Sequence, residues 1–203
     1  MGGFDEGEIH YNIIYDNPGG VLPMELMPNT LVVKFKDNRI LMEITAPIGH
    51  SGIFNIIDPE ANIMKTFISF LGIKYYYQGV SGEVPPGIDP MDDLKFMRTG
   101  QTKTISGLNC KHAIVQIPGY ERDFDIWYTN DIDLENPNNS TPFKDIDGVL
   151  TNFFYKIGDM IIEFEVTAIY QREVAEKDFT KSDKFLRISR DDMDNLISKM
   201  MAL

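Results

Sequence analysis

The chain has 203 residues, of which 43% are hydrophobic, 11% aromatic and 25% charged, a composition that builds a folded core and excludes a disordered segment. Its 19 Lys and Arg stand against 31 Asp and Glu, a formal charge of -12, which repels a phosphate backbone and offers no general attraction to anionic lipid, so nucleic acid is not expected as a partner. A single cysteine allows no internal disulfide, and neither Cys/His spacing for zinc nor an 18-residue apolar run is present.

The start, "MGGFDEGEIHY", places Met1, two glycines and acidic residues before the first strand-like run. This suits a chain trimmed just after an export signal, with Met1 standing where a lipid-bearing cysteine would be; a native start at Met1 is the alternative. Hairpins follow. "TLVVKFK" and "RILMEIT" flank Asp37-Asn38, a pair that accepts the positive φ of a two-residue turn. Alternation puts Leu31, Val33, Phe35, Ile40, Met42 and Ile44 on the core face. "GIFNIID" and "NIMKTFISFLGIKYYYQ" meet through Asp58-Pro59, and "KHAIVQI" and "RDFDIWYT" meet at Pro118-Gly119, the signature of a type II turn. "TNFFYKI" and the long run "DMIIEFEVTAIYQ" meet near Gly158, with Ile162, Phe164, Val166, Ala168 and Tyr170 expected on one face.

Three segments interrupt the meander. Residues 79–93, rich in Gly and Pro, read as a mobile loop; residues 131–148 read as a polar connection with a short helical turn at Thr141-Pro142. Ser189 can cap a C-terminal helix from Arg190 to Met200, with Asp191, Asp192 and Asp194 near its positive end and Met193, Leu196, Ile197 and Met200 as its apolar face. About ten antiparallel strands and one terminal helix then form one domain, residues 1–203.

Few side chains suggest chemistry. Cys110 and His112 share a strand face, yet nothing nearby supplies an orienting partner or an oxyanion site, so Cys110 reads as a buried structural residue. His10 and His50 lack metal spacing, and the acidic residues Asp123, Asp125, Asp131, Asp133 and Glu135 lack the spacing of a calcium loop, so no metal site is expected. Trp127 falls opposite Phe124, Ile126 and Tyr128, while Tyr75 to Tyr77 occupy both faces of their strand. Large rings on both faces require either a second covering layer or a sheet that curves around a cavity.

The segments "TGQTKTISGLNCKHAIV", "FDIWYTNDIDL" and "GVLTNFFYKIGDMIIEFEVTAI" resemble a family of uncharacterised secreted or lipid-anchored proteins of Gram-negative bacteria. Thr104, Ile105, Gly107, Cys110, Trp127, Tyr128 and Thr129 fall on its motif positions. The resemblance implies a fold like that of the periplasmic lipoprotein carriers LolA and LolB: mainly β, a strongly bent antiparallel sheet forming an incomplete barrel, with a few short helices. It also implies a periplasmic or cell-surface location, with membrane attachment only through a lipid anchor.

The expected function is a non-enzymatic lipoprotein that binds a lipid or other hydrophobic ligand in the groove of the half-barrel, without a cofactor, through Trp127, Tyr75 and Tyr77. The alternative is a protein-interaction module of the cell envelope that holds no small molecule.

Overall fold

The computed structural model describes residues 3–16, 27–47, 52–70, 72–181 and 184–201. Met1 and Gly2, on which the trimmed-start expectation rests, lie outside them, as does His50. The described residues form one twelve-stranded sheet that does not close into a barrel, one C-terminal helix and a 3-10 turn at Glu176–Phe179. The mainly β, open half-barrel class expected from the sequence is therefore the class observed.

The first six strands are β1 (Glu6–Asp16), β2 (Thr30–Lys36), β3 (Arg39–Thr45), β4 (Gly52–Asp58), β5 (Ile63–Phe70) and β6 (Ile73–Gly79). The second set comprises β7 (Lys95–Ile105), β8 (Leu108–Gln116), β9 (Phe124–Thr129), β10 (Val149–Ile157) and β11 (Met160–Tyr170), followed by the short β12 (Leu186–Arg187) and helix α1 (Arg190–Met201). The spatial order is β12-β6-β5-β4-β3-β2-β1-β11-β10-β9-β8-β7. Two meanders thus join where β1 pairs with β11, and every pairing is antiparallel except that of β12 with β6.

This order forces curvature. Ten strand spacings separate β6 from β7, roughly 48 Å across a flat sheet. The connection between Gly79 and Lys95 could bridge that distance only if nearly straight. It is not straight, for Glu83 N–H donates to Val80 O and Ile88 N–H to Pro85 O. The sheet therefore curls, and the connection crosses its inner face, where Ile88, Met91 and Leu94 join the main core. Residues 79–93, expected to be mobile, are tied down instead: Gly82 N–H donates to Ser140 Oγ, Gly87 N–H to Asp194 Oδ1 and Asp89 N–H to Lys156 O.

Turn chemistry sets the register. Asp37 and Asn38 both have positive φ, 49° and 62°, as a type I′ hairpin requires. At Pro118-Gly119, glycine has φ +84° and Tyr120 N–H reaches Ile117 O, completing the expected type II turn. Twelve strands form instead of about ten, partly because Gly72, at φ +83°, divides "NIMKTFISFLGIKYYYQ" into β5 and β6. Residues 131–148 form turns without a helix; Thr141 spends its hydroxyl on Asn138 O and on Phe143 N–H.

The long final strand departs from strict alternation. Tyr11 faces Val166 but His10 faces Ala168, so Thr167 is an extra residue, a β-bulge. Beyond it the faces exchange: Ile169 meets Ile9 on the core side, while Ala168 and Tyr170 turn outward and Tyr170 packs edge-on against His10.

Packing fills both faces of the first meander. Leu31, Phe35, Ile40, Met42, Ile57 and Met64 belong to the inner core. On the outer face, Leu41, Ile56 and Phe67 are buried by a strap, residues 171–181, that contributes Val174 and Phe179. The strap follows β11, and β12 then docks beside β6. Helix α1 next turns onto the inner side, where Met193 and Ile197 pack on Ile68, Tyr75 and Tyr77. Ser189 caps α1 through Asp192 N–H, as expected from the sequence. Gly87 lies so close to Ile197 that a Cβ there would come within 2.5 Å.

Candidate functional site

The inner face is the first place to look for a ligand. Its centre is aromatic: Phe153 stacks on Phe164 at 4.8 Å and meets Tyr11 edge-on, and Phe124 stacks on Phe154 at 4.5 Å. Phe143, from the 131–148 connection, meets Phe154 edge-on at 5.3 Å and closes the layer. The Tyr11 hydroxyl is satisfied by Leu150 O at 2.7 Å, and burial pushes the Tyr11 and Tyr155 phenols well above their ordinary range. Apolar space among Ile9, Tyr11, Phe35, Met42, Phe153 and Tyr155 amounts to about 50 Å³.

At the mouth of the curl a larger hollow of about 570 Å³ lies between the two connections, with Arg190 of α1 at its rim. Its walls mix Met91, Leu94 and Phe96 with Glu83, Asp92, Asp145 and Arg190. Of its lining residues, Glu83 accepts the Tyr77 hydroxyl at Oε2, 2.9 Å away, and Arg190 holds Val84 O and Asp194.

The three ring positions singled out from the sequence do not converge. Tyr75 and Tyr77 lie together under α1, near the β6 edge. Trp127 was expected to line the groove; it lies on the outer face of the second meander, opposite its core-facing neighbours Ile126 and Tyr128. Alternation placed the indole on the other face correctly, but that face is not the concave one.

Around Trp127 the outer face is polar. The His112 ring lies 4.6 Å from the indole and Lys103 Nζ sits 4.0 Å above it, a cation–π contact. His112 is fixed from both sides, with Nε2 2.8 Å from Asp125 Oδ1 and Nδ1 2.9 Å from Thr99 Oγ1. The arrangement fits a ring donating from Nε2 and accepting the Thr99 hydroxyl at Nδ1. Thr99 sits at a break in β7, where pairing with β8 jumps from Arg98 to Thr102 and Gly100 takes φ +74°. The glycine inside a strand-like run was the sequence signal for that bulge.

Next to Trp127 the sheet opens. Pairing of β9 with β10 reaches Trp127 and Asn152 through a register shift at Leu150/Asn152, and beyond that point the strands diverge. The wedge holds about 380 Å³ among Arg122, Asp123, Asp125, Trp127, Asn152, Glu163 and Glu165. Asn152 Oδ1 is buried there without a hydrogen-bond partner. Arg122 spans the outer rim to Asp16 at 2.5 Å and to Glu163 at 3.6 Å.

Cys110 and His112, neighbours by parity, have separate partners. The cysteine is fully buried, receives the Thr151 hydroxyl at 3.6 Å, and burial raises its thiol pKa, the reverse of what a nucleophile needs. Among the described residues no group of three or more His, Cys, Asp or Glu is placed to hold a metal, and no helix is long and apolar enough to cross a membrane.

No known protein-family profile matches the chain, and no curated protein is similar to it in sequence. Its likeness to solved structures is one of fold. The chain is similar to PNGF-II, solved in a C2 crystal form, at a TM-score of 0.56 and 16% identity, over 98% of this chain and 32% of that one. That likeness shows the fold alone, and the chain spans about a third of the length of PNGF-II. The Mycobacterium tuberculosis lipoprotein LppX overlaps 82% of this chain and 88% of its own at 11% identity and a TM-score of 0.34, a likeness too loose to carry an argument.

Proposed function

We propose that this chain is a non-enzymatic interaction module that binds a protein partner on its exterior. The observation that carries the reading is the packed aromatic centre of the inner face, where the hollow among Ile9, Tyr11, Phe35 and Phe153 holds about 50 Å³, against the several hundred Å³ that a drug-sized ligand occupies; the larger hollow at the mouth, about 570 Å³, is walled by charged as well as apolar side chains. The exterior of the second meander, by contrast, offers a polar wedge, a half-buried indole and a free sheet edge. The cell-envelope setting rests on the motif resemblance to exported, lipid-anchored proteins.

The second reading is a carrier of a hydrophobic ligand. Its specific support is that the small cavity is lined by Ile9, Phe35, Met42 and Phe153, and a methionine-containing wall can adapt. For a lipid to enter, Phe143 or the connection bearing it would have to move.

Photo-crosslinking side chains at Gln101 on β7, Glu163 in the wedge and Asp145 at the mouth, in cells that make the protein naturally, separate the two readings. A discrete protein adduct at one or more positions, with no lipid in native mass spectra of the purified chain, is expected. Stoichiometric lipid with no adduct at any position would overturn the module in favour of the carrier.

A further inference from the structure

Resting on that reading, we infer that the free edge strand β7 is the docking site, and that its occupant is an extended acidic segment of a partner protein that adds as a further strand. Among the described residues the sheet ends at β7, which pairs with β8 on one side only. None of its eleven residues, Lys95–Ile105, is buried, and Met97 is 55% exposed. The opposite edge is the two-residue β12, with the strap and α1 on either side of it in the chain. Every second residue of an edge strand turns its N–H and C=O away from the sheet, and these groups are a ready template for an incoming strand.

Charge selects the occupant. No Asp or Glu occurs between Asp93 and Glu121, a stretch that carries Lys95, Arg98, Lys103 and Lys111. In a chain of net charge -12, β7 and its neighbour β8 are wholly cationic. Their cations are also unspent. Eight cations elsewhere, Lys34, Lys36, Arg39, Arg122, Lys156, Arg172, Lys181 and Arg190, each face a carboxylate, whereas Lys65, Lys177 and Lys199, like the β7 and β8 cations, form no ion pair among the described residues and so serve as the matched control. Among the described residues, Arg98 instead holds the Asp145 carbonyl, Lys111 an asparagine and Lys103 an indole face.

Edge lysines and the bulge at Thr99–Gly100 also discourage edge-to-edge association, and this sharpens the choice. A second copy of β7 would bring like charges together, so the same residues that reject self-pairing admit a strand carrying Asp or Glu. The bulge divides the template into Lys95–Arg98 and Thr102–Ile105, each paired to β8.

The test uses the whole chain and fluorescein-labelled peptides of about eight residues, the length of a strand, alternating Glu with Val or Thr. Binding that weakens with salt is expected. Reversing Lys95→Glu, Arg98→Glu and Lys103→Glu together should weaken it by about tenfold or more. The charge-matched reversal Lys65→Glu, Lys177→Glu and Lys199→Glu should leave it within about twofold, since rim charges act locally once screened. A peptide N-methylated at alternate residues should lose binding, because strand addition needs its N–H groups.

Three outcomes would overturn the inference: no binding by the acidic peptide, equal binding by the N-methylated one, or equal loss in both triple variants. Loss here accompanied by cross-links at Glu163 or Asp145 would remove β7 as the site and leave the interaction module standing. Absence of all cross-links would remove the module itself.

Discussion

The two meanders are built alike, yet their outer faces differ. On β3 to β5 the outward residues Leu41, Ile56 and Phe67 are apolar, and a strap covers them. On β7 to β9 the outward residues include Lys103, His112, Asp125 and Trp127, and among the described residues no strap covers them; His112 is buried by its own neighbours Trp127, Asp125 and Thr99. An outward apolar ring is thus a demand for cover, whereas an outward ring set among charges is a surface. The strap is fastened by alternating pairs: Glu6 with Lys36 and Val174 N–H, Lys34 with Asp178, Arg39 with both Glu176 oxygens, and Lys181 with Glu43.

The largest difference between the faces should appear at Phe67. Its ring lies between Tyr76, stacked at 5.5 Å, and Phe185, edge-on at 5.2 Å, so truncation opens a cavity beneath the strap. Phe67→Ala should cost about 3 to 5 kcal/mol in denaturant unfolding. A loss under about 1 kcal/mol would mean that the strap adds no core of its own.

Next in size is Cys110, inside the second meander. Cys110→Ala should cost about 1 to 2 kcal/mol, for a small buried side chain and its contact with Thr151. Peptide binding at β7 should be unchanged. Lost binding at full stability would contradict a purely structural thiol.

Acid distinguishes the halves differently. Burial raises the Glu8 carboxyl pKa, but hydrogen bonds from Arg172 and His10 outweigh it and hold the group below its ordinary value of 4.5; Glu6 is held low by Val174 N–H and Lys36. A lowered carboxyl contributes stability above its unfolded value and loses it as pH falls through the folded one. Below pH 4.5, therefore, amide exchange in residues 171–181 should quicken before that of β8 and β9. Glu8→Gln should flatten the response, and an unchanged profile would show that ion pairs do not hold the strap.

Much of this arrangement was legible in the sequence, for identifiable reasons. Asp37-Asn38, Pro118-Gly119 and the Ser189 cap are local devices whose φ demands and hydrogen bonds are written into neighbouring residues. Burial of Cys110 was expected because a free cysteine packs as a small hydrophobe, whereas the carboxylate that orients His112, Asp125, was not foreseen because it reaches the ring from the neighbouring strand. The bulge at Thr167 was not legible, because one extra residue in a run that favours strand leaves composition untouched while reversing the faces of Ala168 and Tyr170. The pairing of β1 with β11 and the edge-to-edge crossing were equally hidden, since they depend on contacts between residues about 150 positions apart. Parity assigned Trp127 a face but could not say which face the crossing connections would fill. The β7 edge left a trace, the acid-free run from Leu94 to Tyr120, whose meaning emerged once topology made that strand terminal.

The smallest expected effect is at Trp127, and it bears most directly on the comparison. The indole is half-buried, in contact with Lys103 and with the His112 ring, and among the described residues neither contact is sealed beneath a strap. Trp127→Ala should therefore cost less than about 1 kcal/mol in stability, the range of exposed cation–π and surface contacts, far below Phe67→Ala despite the larger ring. Its fluorescence gives a second readout. A strand added at β7 would draw Lys103 toward an acidic side chain and away from the indole, so the acidic peptide should shift Trp127 emission saturably, while fatty acid should not. An emission shift with fatty acid but not with peptide would reverse the assignment of the two faces and favour the carrier. A stability loss at Trp127 matching that at Phe67 would show that the second meander also has a covered exterior.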